Sequence, residues 1–248
     1  MAFTMFSAIP APRVEWKKEN MRFMLCALPL VGIVIGAVLC LWAWVAGKLR
    51  LGSFLYGVGL TLLPALVSGG IHLDGFLDTA DALSSHAPPE KKREIMKDSH
   101  AGAFAVLFGA GYFLLYAALA SEADLSIRTA AAIGLTHVFA RAVGALASTA
   151  FPGSSSNGLL ATFRDASAKK ASTVLIVWIV LCAAALIILS PVGGSAAVAL
   201  ALLCLIYLYF MSRKQFGGMS GDLAGFLITL AELMMLLGYV VAERLTVL

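Results

Sequence analysis

Long runs of apolar residues, separated by short polar segments, dominate this chain of 248 residues. A helix needs about 20 residues to cross a bilayer core about 30 Å thick. The apolar residues are consecutive and do not alternate with polar ones, which predicts helices and not barrel strands. We therefore expect an all-α, polytopic membrane bundle with about seven transmembrane helices, forming a single domain over residues 1–248. The predicted spans are Leu25–Ala46, Leu51–Ser68, Ala101–Ala120, Thr129–Phe151, Ala171–Leu189, Gly194–Met211 and Leu223–Ala242.

The composition also indicates a membrane protein. Hydrophobic residues make up 60% of the chain and charged residues 13%, against typical values of about 45–50% and about 25%. So few charges cannot cover a soluble surface, which excludes a disordered chain and an ordinary soluble enzyme. The four cysteines lie inside apolar runs without C-x-x-C spacing, which favours small hydrophobic side chains over metal or redox chemistry. They are Cys26, Cys40, Cys182 and Cys204.

Basic residues are distributed unequally between alternate polar segments. With the N-terminus inside, the cytoplasmic segments would be 1–24, 69–100, 152–170 and 212–222, and these hold 13 of the 18 Lys and Arg residues. The opposite side holds four, and Arg141 lies within a span. Because Lys and Arg favour the cytoplasmic side, we expect a cytoplasmic N-terminal segment (1–24), a cytoplasmic acidic loop (69–100) and an external C-terminus.

Three ionisable side chains, His137, Arg141 and Glu232, fall inside the predicted spans. A transporter would place more polar groups near the midplane, so this distribution favours chemistry at the inner membrane surface. Arg141 and Glu232 both lie about 15 Å deep, at about 1.5 Å per residue. An unpaired charge there costs at least ~2.5–3.5 kcal/mol, so we expect the two to face each other. Either they form an ion pair that locks two helices, or Arg141 reaches toward a phosphate with His137 one turn away.

The segment Gly69–Asp81 is acidic and contains no Lys or Arg. Asp74, Asp78 and Asp81 are spaced i, i+4 and i+7, so a helix would present all three carboxylates on one face. Such like charges repel, and a bound dication would reverse the sign of the interaction. Oxygen ligands favour a hard ion such as Mg²⁺, which predicts these three residues as metal ligands. The alternative is a solvated acidic first turn at a helix N-terminus.

His72 lies within the same acidic segment. Imidazole is a poor ligand for Mg²⁺, so a hydrogen bond to a phosphate or to a carboxylate is the expected functional role. A purely structural His72 is the alternative.

Two further polar segments precede predicted spans. Lys97, Asp98 and Ser99 come before Gly102, where an exposed helix N-terminus would suit an anion; alternatively, Asp98 or Ser99 is only the N-cap. Ser220, Gly221 and Asp222 end a glycine-rich segment whose backbone N–H groups would suit a phosphate, although such segments are common. No G-x-x-x-x-G-K-[ST] run occurs, which argues against a P-loop ATPase.

Together these segments resemble the cobalamin synthase family, the adenosylcobinamide-GDP ribazoletransferases. The stretch Gly69–Asp81 is similar to the family signature G-G-x-H-L-D-G-x-x-D-x-x-D. Two departures stand out: His100 occupies a position that usually holds Arg, and Thr229 stands where a second acidic residue often accompanies Glu232. The other matching pieces are Phe6–Arg13, Pro29–Gly32 with Gly36, Glu94–Ser99 with Gly102, the Arg141 region, and Ser220–Asp222 through Glu232.

The resemblance implies a transferase that joins adenosylcobinamide-GDP to α-ribazole or its 5′-phosphate and releases GMP, with Mg²⁺ as cofactor. It implies a catalytic set of His72, Asp74, Asp78 and Asp81. It also implies a prokaryotic cytoplasmic membrane location, with the active site facing the cytoplasm and no nucleic acid partner. A homo-oligomer and contacts with other late cobalamin-pathway enzymes are compatible with the sequence, but no segment identifies them. The implied substrate- and phosphate-binding residues are Lys97, Asp98, Ser99, Arg141, Ser220, Gly221, Asp222 and Glu232.

Two other functions fit the sequence less well. A CDP-alcohol phosphotransferase would carry D-x-x-D-G-x-x-A-R followed by a second paired acidic run, and neither the Ala-Arg nor the second run is present. A transporter of a cation or a corrinoid would show internal repeats and paired intramembrane acidic residues. The chain shows no convincing repeat.

Overall fold

The structure, a computed structural model, consists of α-helices joined by short connections. It describes residues 1–12, 15, 17–98, 100–154, 159–167 and 170–246. No strand lies in these ranges, and one isolated β-bridge joins Gly153 to Met219. The predicted all-α class is therefore confirmed. The helices are α1 (Ala2–Phe6), α2 (Lys18–Met21), a 3₁₀ turn (Leu25–Ala27), α3 (Leu28–Leu49), α4 (Ser53–Ser68), α5 (Ile71–Ser84), α6 (Pro89–Ile95), α7 (Ala103–Ser121), α8 (Ile127–Ala150), α9 (Leu159–Ala166), α10 (Ala171–Leu189), α11 (Pro191–Phe216) and α12 (Gly221–Leu245).

Within the described residues, six helical segments are long and apolar enough to cross a membrane: Glu19–Leu49, which contains α3, together with α7, α8, α10, α11 and α12. The helix α4 has only 16 residues, and it qualifies only together with α5, from which it is bent by 98°. The bend falls at Gly69 and Gly70, whose φ angles are 65° and 75°, a conformation that glycine adopts without strain. The chain is thus an integral membrane protein with six or seven spans, close to the predicted number.

The helices α8 and α12 form the centre of the bundle. In their most apolar windows, 83% of α8 and 72% of α12 is buried, against 17% of α10. Large side chains such as Leu114, Ile188 and Phe210 project outward from the peripheral helices, as expected for surfaces that contact lipid. The central helices α8 and α12 are also the ones that carry the ionisable residues of the membrane interior.

The polar segments gather at two separate ends of the bundle. At one end, the bridge between Gly153 and Met219 joins two segments predicted to be cytoplasmic. At the other, Arg244 forms an ion pair with Glu122 at 2.9 Å, and the Arg128 guanidinium donates to the Leu189 carbonyl at 3.1 Å. The two ends match the two sides expected from the charge pattern. That the first end faces the cytoplasm stays a prediction.

The acidic segment 69–100, expected as a loop, contains the helices α5 and α6. Rather than projecting from the membrane surface, α5 packs closely against α12. A Cβ atom on Gly75 would lie 2.6 Å from the Asp222 carbonyl oxygen, and one on Gly225 would lie 2.8 Å from the His72 carbonyl oxygen. Glycine at both positions therefore lets the two backbones meet, which brings the acidic face of α5 beside the start of α12.

Gly225→Ala is expected to lower the unfolding free energy by about 1–3 kcal/mol, because its methyl group would overlap backbone atoms that cannot rotate away. Thermal unfolding of the detergent-solubilised protein measures this change. Gly111→Ala is the matched control, since a Cβ atom there meets nothing within 4 Å. Equal stability of the two variants would contradict the close packing of α5 on α12.

Candidate functional site

A cavity of about 340 Å³ opens at the end of the bundle that contains the Gly153–Met219 bridge. All four segments predicted to be cytoplasmic contribute to its walls. The cavity therefore collects residues that lie far apart in sequence. Its polar lining is His72, Asp74, Ser148, Ser154, Arg164, Ser220 and Asp222. Its remaining lining is Met5, Phe6, Leu25, Leu28, Ile71, Gly153, Leu160, Ala161, Phe163, Met219, Gly221, Ala224, Gly225 and Ile228.

The start of α12 forms one wall of this cavity. Ser220 is the N-cap of α12, and its hydroxyl oxygen accepts a hydrogen bond from the Leu223 N–H at 3.3 Å. Gly221 and Asp222 are the first residues of the helix and also line the cavity. The N–H groups and the positive dipole end of a helix N-terminus favour anions. The structure thus brings together the three residues that were predicted in this segment.

The turn before α12 is held from two sides. Its Met219 N–H donates to the Pro152 carbonyl at 2.7 Å, and the Met219 carbonyl accepts from the Ser154 N–H at 3.0 Å. From α6, the Arg93 guanidinium donates to the Phe216 carbonyl at 2.9 Å. These contacts fix Ser220 and Asp222 relative to the cavity. No local sequence pattern predicts these contacts, because they link segments more than 60 residues apart.

The carboxylates of α5 form a row that leads away from the cavity. Asp74 lines it, whereas Asp78 and Asp81 lie beyond it along the helix. The negative charges of Asp74, Asp222 and Asp81 lie near enough to Asp78 to repel its carboxylate. The Asp81 carboxylate accepts a hydrogen bond from the Ala105 N–H at 3.4 Å, at the start of α7. Four carboxylates thus share one region: three lie on α5, as the helical spacing requires, and Asp222 is brought beside them by the packing of α5 on α12.

No cation is paired with these carboxylates among the described residues. In the same part of the chain, no group of three or more His, Cys, Asp or Glu side chains converges closely enough to form a metal site. The row is therefore open rather than a closed cage. It fits Mg²⁺ nevertheless, because Mg²⁺ typically takes one or two carboxylates and completes its coordination with water and substrate phosphate oxygens.

His72 is buried, with 8% of its surface exposed. Its ring stacks on Phe6 of α1, with the centroids 6.1 Å apart. Nε2 has no hydrogen-bond partner among the described residues, although His72 lines the cavity. The expected hydrogen bond from this nitrogen to a carboxylate is thus not formed. A buried nitrogen without a partner is costly, which favours a bond to a ligand over a purely structural role.

The segment before α7 differs from the prediction. Lys97 and Asp98 do not line the cavity, and Ser99 lies outside the described residues, as does Arg13 near the N-terminus. The N-cap of α7 is Gly102 and not Asp98. The Asp98 carboxylate instead accepts hydrogen bonds from the His100 ring at 2.7 Å and from the His100 N–H at 3.0 Å. The ring bond, followed by the backbone bond, lowers the pKa of Asp98. This local turn competes with capping of the helix.

Arg141 and Glu232 face each other, as predicted. The Arg141 guanidinium donates to Glu232 Oε1 at 2.6 Å and to the His137 carbonyl at 3.0 Å. His137 Nδ1 lies 2.9 Å from the same Glu232 oxygen, and the Tyr116 hydroxyl lies 3.2 Å from His137 Nε2. Neither Arg141 nor Glu232 lines the cavity. The geometry favours the helix-locking ion pair, and their substrate-binding role stays a prediction.

Sequence reasoning missed the helix α9 and the residues that it contributes to the cavity. Phe163 is buried, at 4% exposure, while Leu160 and Arg164 line the cavity. The most evident feature of the segment 152–170 in the sequence is its positive charge. The helical spacing of Leu160, Phe163 and Arg164 was the available signal for an amphipathic turn.

Comparison with known proteins gives a consistent result. A family model described as cobalamin-5-phosphate synthase matches residues 1–240. A protein of Lachnoclostridium phytofermentans is 40% identical over 244 residues, which cover 98% of this chain and 93% of that protein. One from Clostridium perfringens strain 13 is 30% identical over 94% of this chain and 92% of its own length. One from Geobacillus thermodenitrificans is 32% identical, with shares of 92% and 89%.

All three relatives are named adenosylcobinamide-GDP ribazoletransferase. No solved structure matches the chain.

Proposed function

The chain belongs to the cobalamin-5-phosphate synthase family, and from this premise we propose that it is an adenosylcobinamide-GDP ribazoletransferase. It joins adenosylcobinamide-GDP to α-ribazole or its 5′-phosphate. The strongest supporting observation is that Asp74, Asp222 and the N-terminus of α12 line the same cavity at one end of a membrane bundle. The CDP-alcohol phosphotransferase and transporter alternatives have no support in the family match.

In the proposed reaction, the acceptor hydroxyl attacks the phosphorus that is attached to cobinamide. A new P–O bond forms to the ribazole, the bond to the second phosphate breaks, and GMP leaves. The hydroxyl proton passes to a base or to water. Because phosphoryl transfer needs little covalent help from the protein, catalysis consists mainly of positioning and charge neutralisation.

The residues of the cavity have distinct proposed roles. The N–H groups at the start of α12, with the Ser220 hydroxyl, hold phosphate oxygens through hydrogen bonds and the helix dipole. The free Nε2 of His72 bonds to a substrate oxygen. One of the nearby carboxylates, such as Asp74, receives the hydroxyl proton when the acceptor lies against it.

Asp74, Asp78 and Asp81 are the proposed ligands of Mg²⁺, with Asp222 close by. These carboxylates do not converge on one point, so one or two of them at a time would hold the ion, with water and substrate phosphate oxygens completing its coordination. Their support is that no cation is paired with the acidic row among the described residues. The ion would neutralise the charge of the donor diphosphate. We further propose that the protein resides in the cytoplasmic membrane with this end facing the cytoplasm, as its basic segments predict.

Treatment with EDTA is expected to stop GMP release from the purified protein, and added Mg²⁺ to restore it, because the carboxylates alone would repel the diphosphate. GMP is measured by chromatography after incubation with adenosylcobinamide-GDP, with and without α-ribazole. Full activity in EDTA would contradict the magnesium proposal. GMP release that does not depend on the acceptor would contradict the transferase itself and indicate a hydrolase.

A further inference from the structure

The cavity has two chemically different sides. Asp74 and Asp222 supply negative charge, whereas Arg164 is the only Lys or Arg among the described residues that line it. The Arg164 guanidinium forms no hydrogen bond or ion pair with any described residue, although the side chain is half-buried. A half-buried guanidinium without a protein partner, in a cavity, is available to an anionic ligand.

Arg164 is held at the cavity by the packing of α9. Phe163, the preceding residue, is buried at 4% exposure. The last turn of α9 is closed by the Ser167 hydroxyl, which donates to the Phe163 carbonyl at 2.7 Å, and by the Ser167 N–H, which donates to the Arg164 carbonyl at 3.1 Å. The guanidinium is thus presented by an anchored helix and not by a free loop.

The remaining wall suits a flat apolar group. Phe6, Leu25, Leu28, Leu160 and Phe163 line the cavity beside Arg164. The volume of about 340 Å³ is near the lower limit of ligand pockets, about 300–1,000 Å³. Such a space takes one nucleotide-sized molecule and is too small to enclose a corrinoid ring. An aromatic base joined to a sugar phosphate matches both the apolar wall and the single arginine.

Resting on the proposed function, we propose that this cavity is the acceptor subsite and that Arg164 binds the 5′-phosphate of the acceptor nucleotide. The aromatic base lies against the apolar wall, and the ribose lies toward Asp74 and Ser220. Arg164 therefore makes the enzyme prefer α-ribazole 5′-phosphate to α-ribazole. The buried, unpartnered Nε2 of His72 in the same cavity is a second polar group that lacks a partner until a ligand is bound.

The test compares Arg164→Gln with the wild type on both acceptors. Loss of a bidentate guanidinium–phosphate contact is expected to lower kcat/KM for α-ribazole 5′-phosphate by about 10- to 100-fold, mostly through KM. The kcat/KM for α-ribazole should stay within about twofold of the wild-type value, because that acceptor has no 5′-phosphate for Arg164 to bind. Arg164→Lys should fall between the two, since lysine keeps the charge without the fork. Arg213→Gln, an exposed arginine that contacts Tyr209, is the matched control.

Other outcomes overturn the proposal. An equal loss with both acceptors would assign Arg164 to the donor diphosphate or to folding, and unchanged kinetics would remove it from the site. A wild-type enzyme without preference for the phosphorylated acceptor would overturn it as well. If the wild type releases GMP with neither acceptor, the proposed function fails; Arg164 is then judged by binding of α-ribazole 5′-phosphate alone, measured calorimetrically. Equal affinity of the wild type and Arg164→Gln in that measurement would overturn the inference independently of catalysis.

Discussion

Asp74→Asn and Asp78→Asn are each expected to reduce the rate of GMP release at least roughly 100-fold. A bound metal ion stabilises the charge of the transition state by several kcal/mol, and each 1.36 kcal/mol of activation free energy changes the rate tenfold. Thermal stability should be unchanged or higher, because each substitution relieves repulsion within the acidic row. Initial rates at saturating Mg²⁺, together with thermal unfolding in detergent, measure both effects.

Asp81→Asn should lose activity too, and it should also be less stable, because an amide oxygen accepts the Ala105 N–H at the start of α7 more weakly than the Asp81 carboxylate does. Asp124→Asn is the control, since it changes an exposed carboxylate at the opposite end of the bundle. Near-normal rates for all three variants of α5 would place the metal and the reaction elsewhere.

Single substitutions of the buried ion pair are expected to be strongly destabilising. Arg141→Gln or Glu232→Gln leaves one charge without its partner among residues that are 1% and 5% exposed, a change that costs about 3–5 kcal/mol in comparable sites. The double variant should recover most of that stability, because neither charge is left alone and the glutamine oxygen can still accept from His137. Thermal inactivation of the solubilised protein gives the comparison.

The double variant also separates the two interpretations of the pair. Since Arg141 and Glu232 bond to each other and do not line the cavity, its GMP release should stay within about tenfold of the wild type. A double variant that folds normally but loses turnover by orders of magnitude would show that one of the two residues acts on the substrate. A set of single variants as stable as the wild type would contradict the pairing itself.

The apolar pattern predicted the spanning helices because bilayer thickness and backbone hydrogen bonding leave few alternatives to an apolar helix. The same physics predicted the contact between Arg141 and Glu232, since two opposite charges at equal depth have few other partners. Both features depend only on the composition of one segment or on the depth of a residue in the membrane, and both quantities can be calculated from the sequence.

The helix α5 was harder to place. Its buried face consists largely of small residues such as Gly75, Thr79 and Ala80, and its exposed face is acidic, so it lacks the hydrophobicity of a spanning segment. Its place in the bundle depends on the approach of Gly75 to the backbone of Asp222. That is a tertiary contact between residues almost 150 positions apart, and no local pattern reports it.

Only part of the candidate site was predicted, again because local patterns do not report contacts between distant segments. Five of the predicted residues, His72, Asp74, Ser220, Gly221 and Asp222, line one cavity. The alternative that Asp98 is the N-cap of α7 was wrong, because a two-residue turn to His100 satisfies its carboxylate locally. Arg164 was missed because α9 is short and its charged residue had been counted only as part of a basic loop.

Product analysis of the purified protein in liposomes tests the central claim most directly, namely that transfer takes place at the acidic cavity. Adenosylcobinamide-GDP, α-ribazole 5′-phosphate and Mg²⁺ are supplied, and GMP and the joined corrinoid product are quantified by mass spectrometry for the wild type, Asp74→Asn and Asp124→Asn. We expect the wild type to form GMP and the joined product in equal amounts, Asp124→Asn to form as much of each as the wild type, and Asp74→Asn to form almost none of either. No joined product from the wild type, or as much from Asp74→Asn as from the wild type, would contradict this expectation.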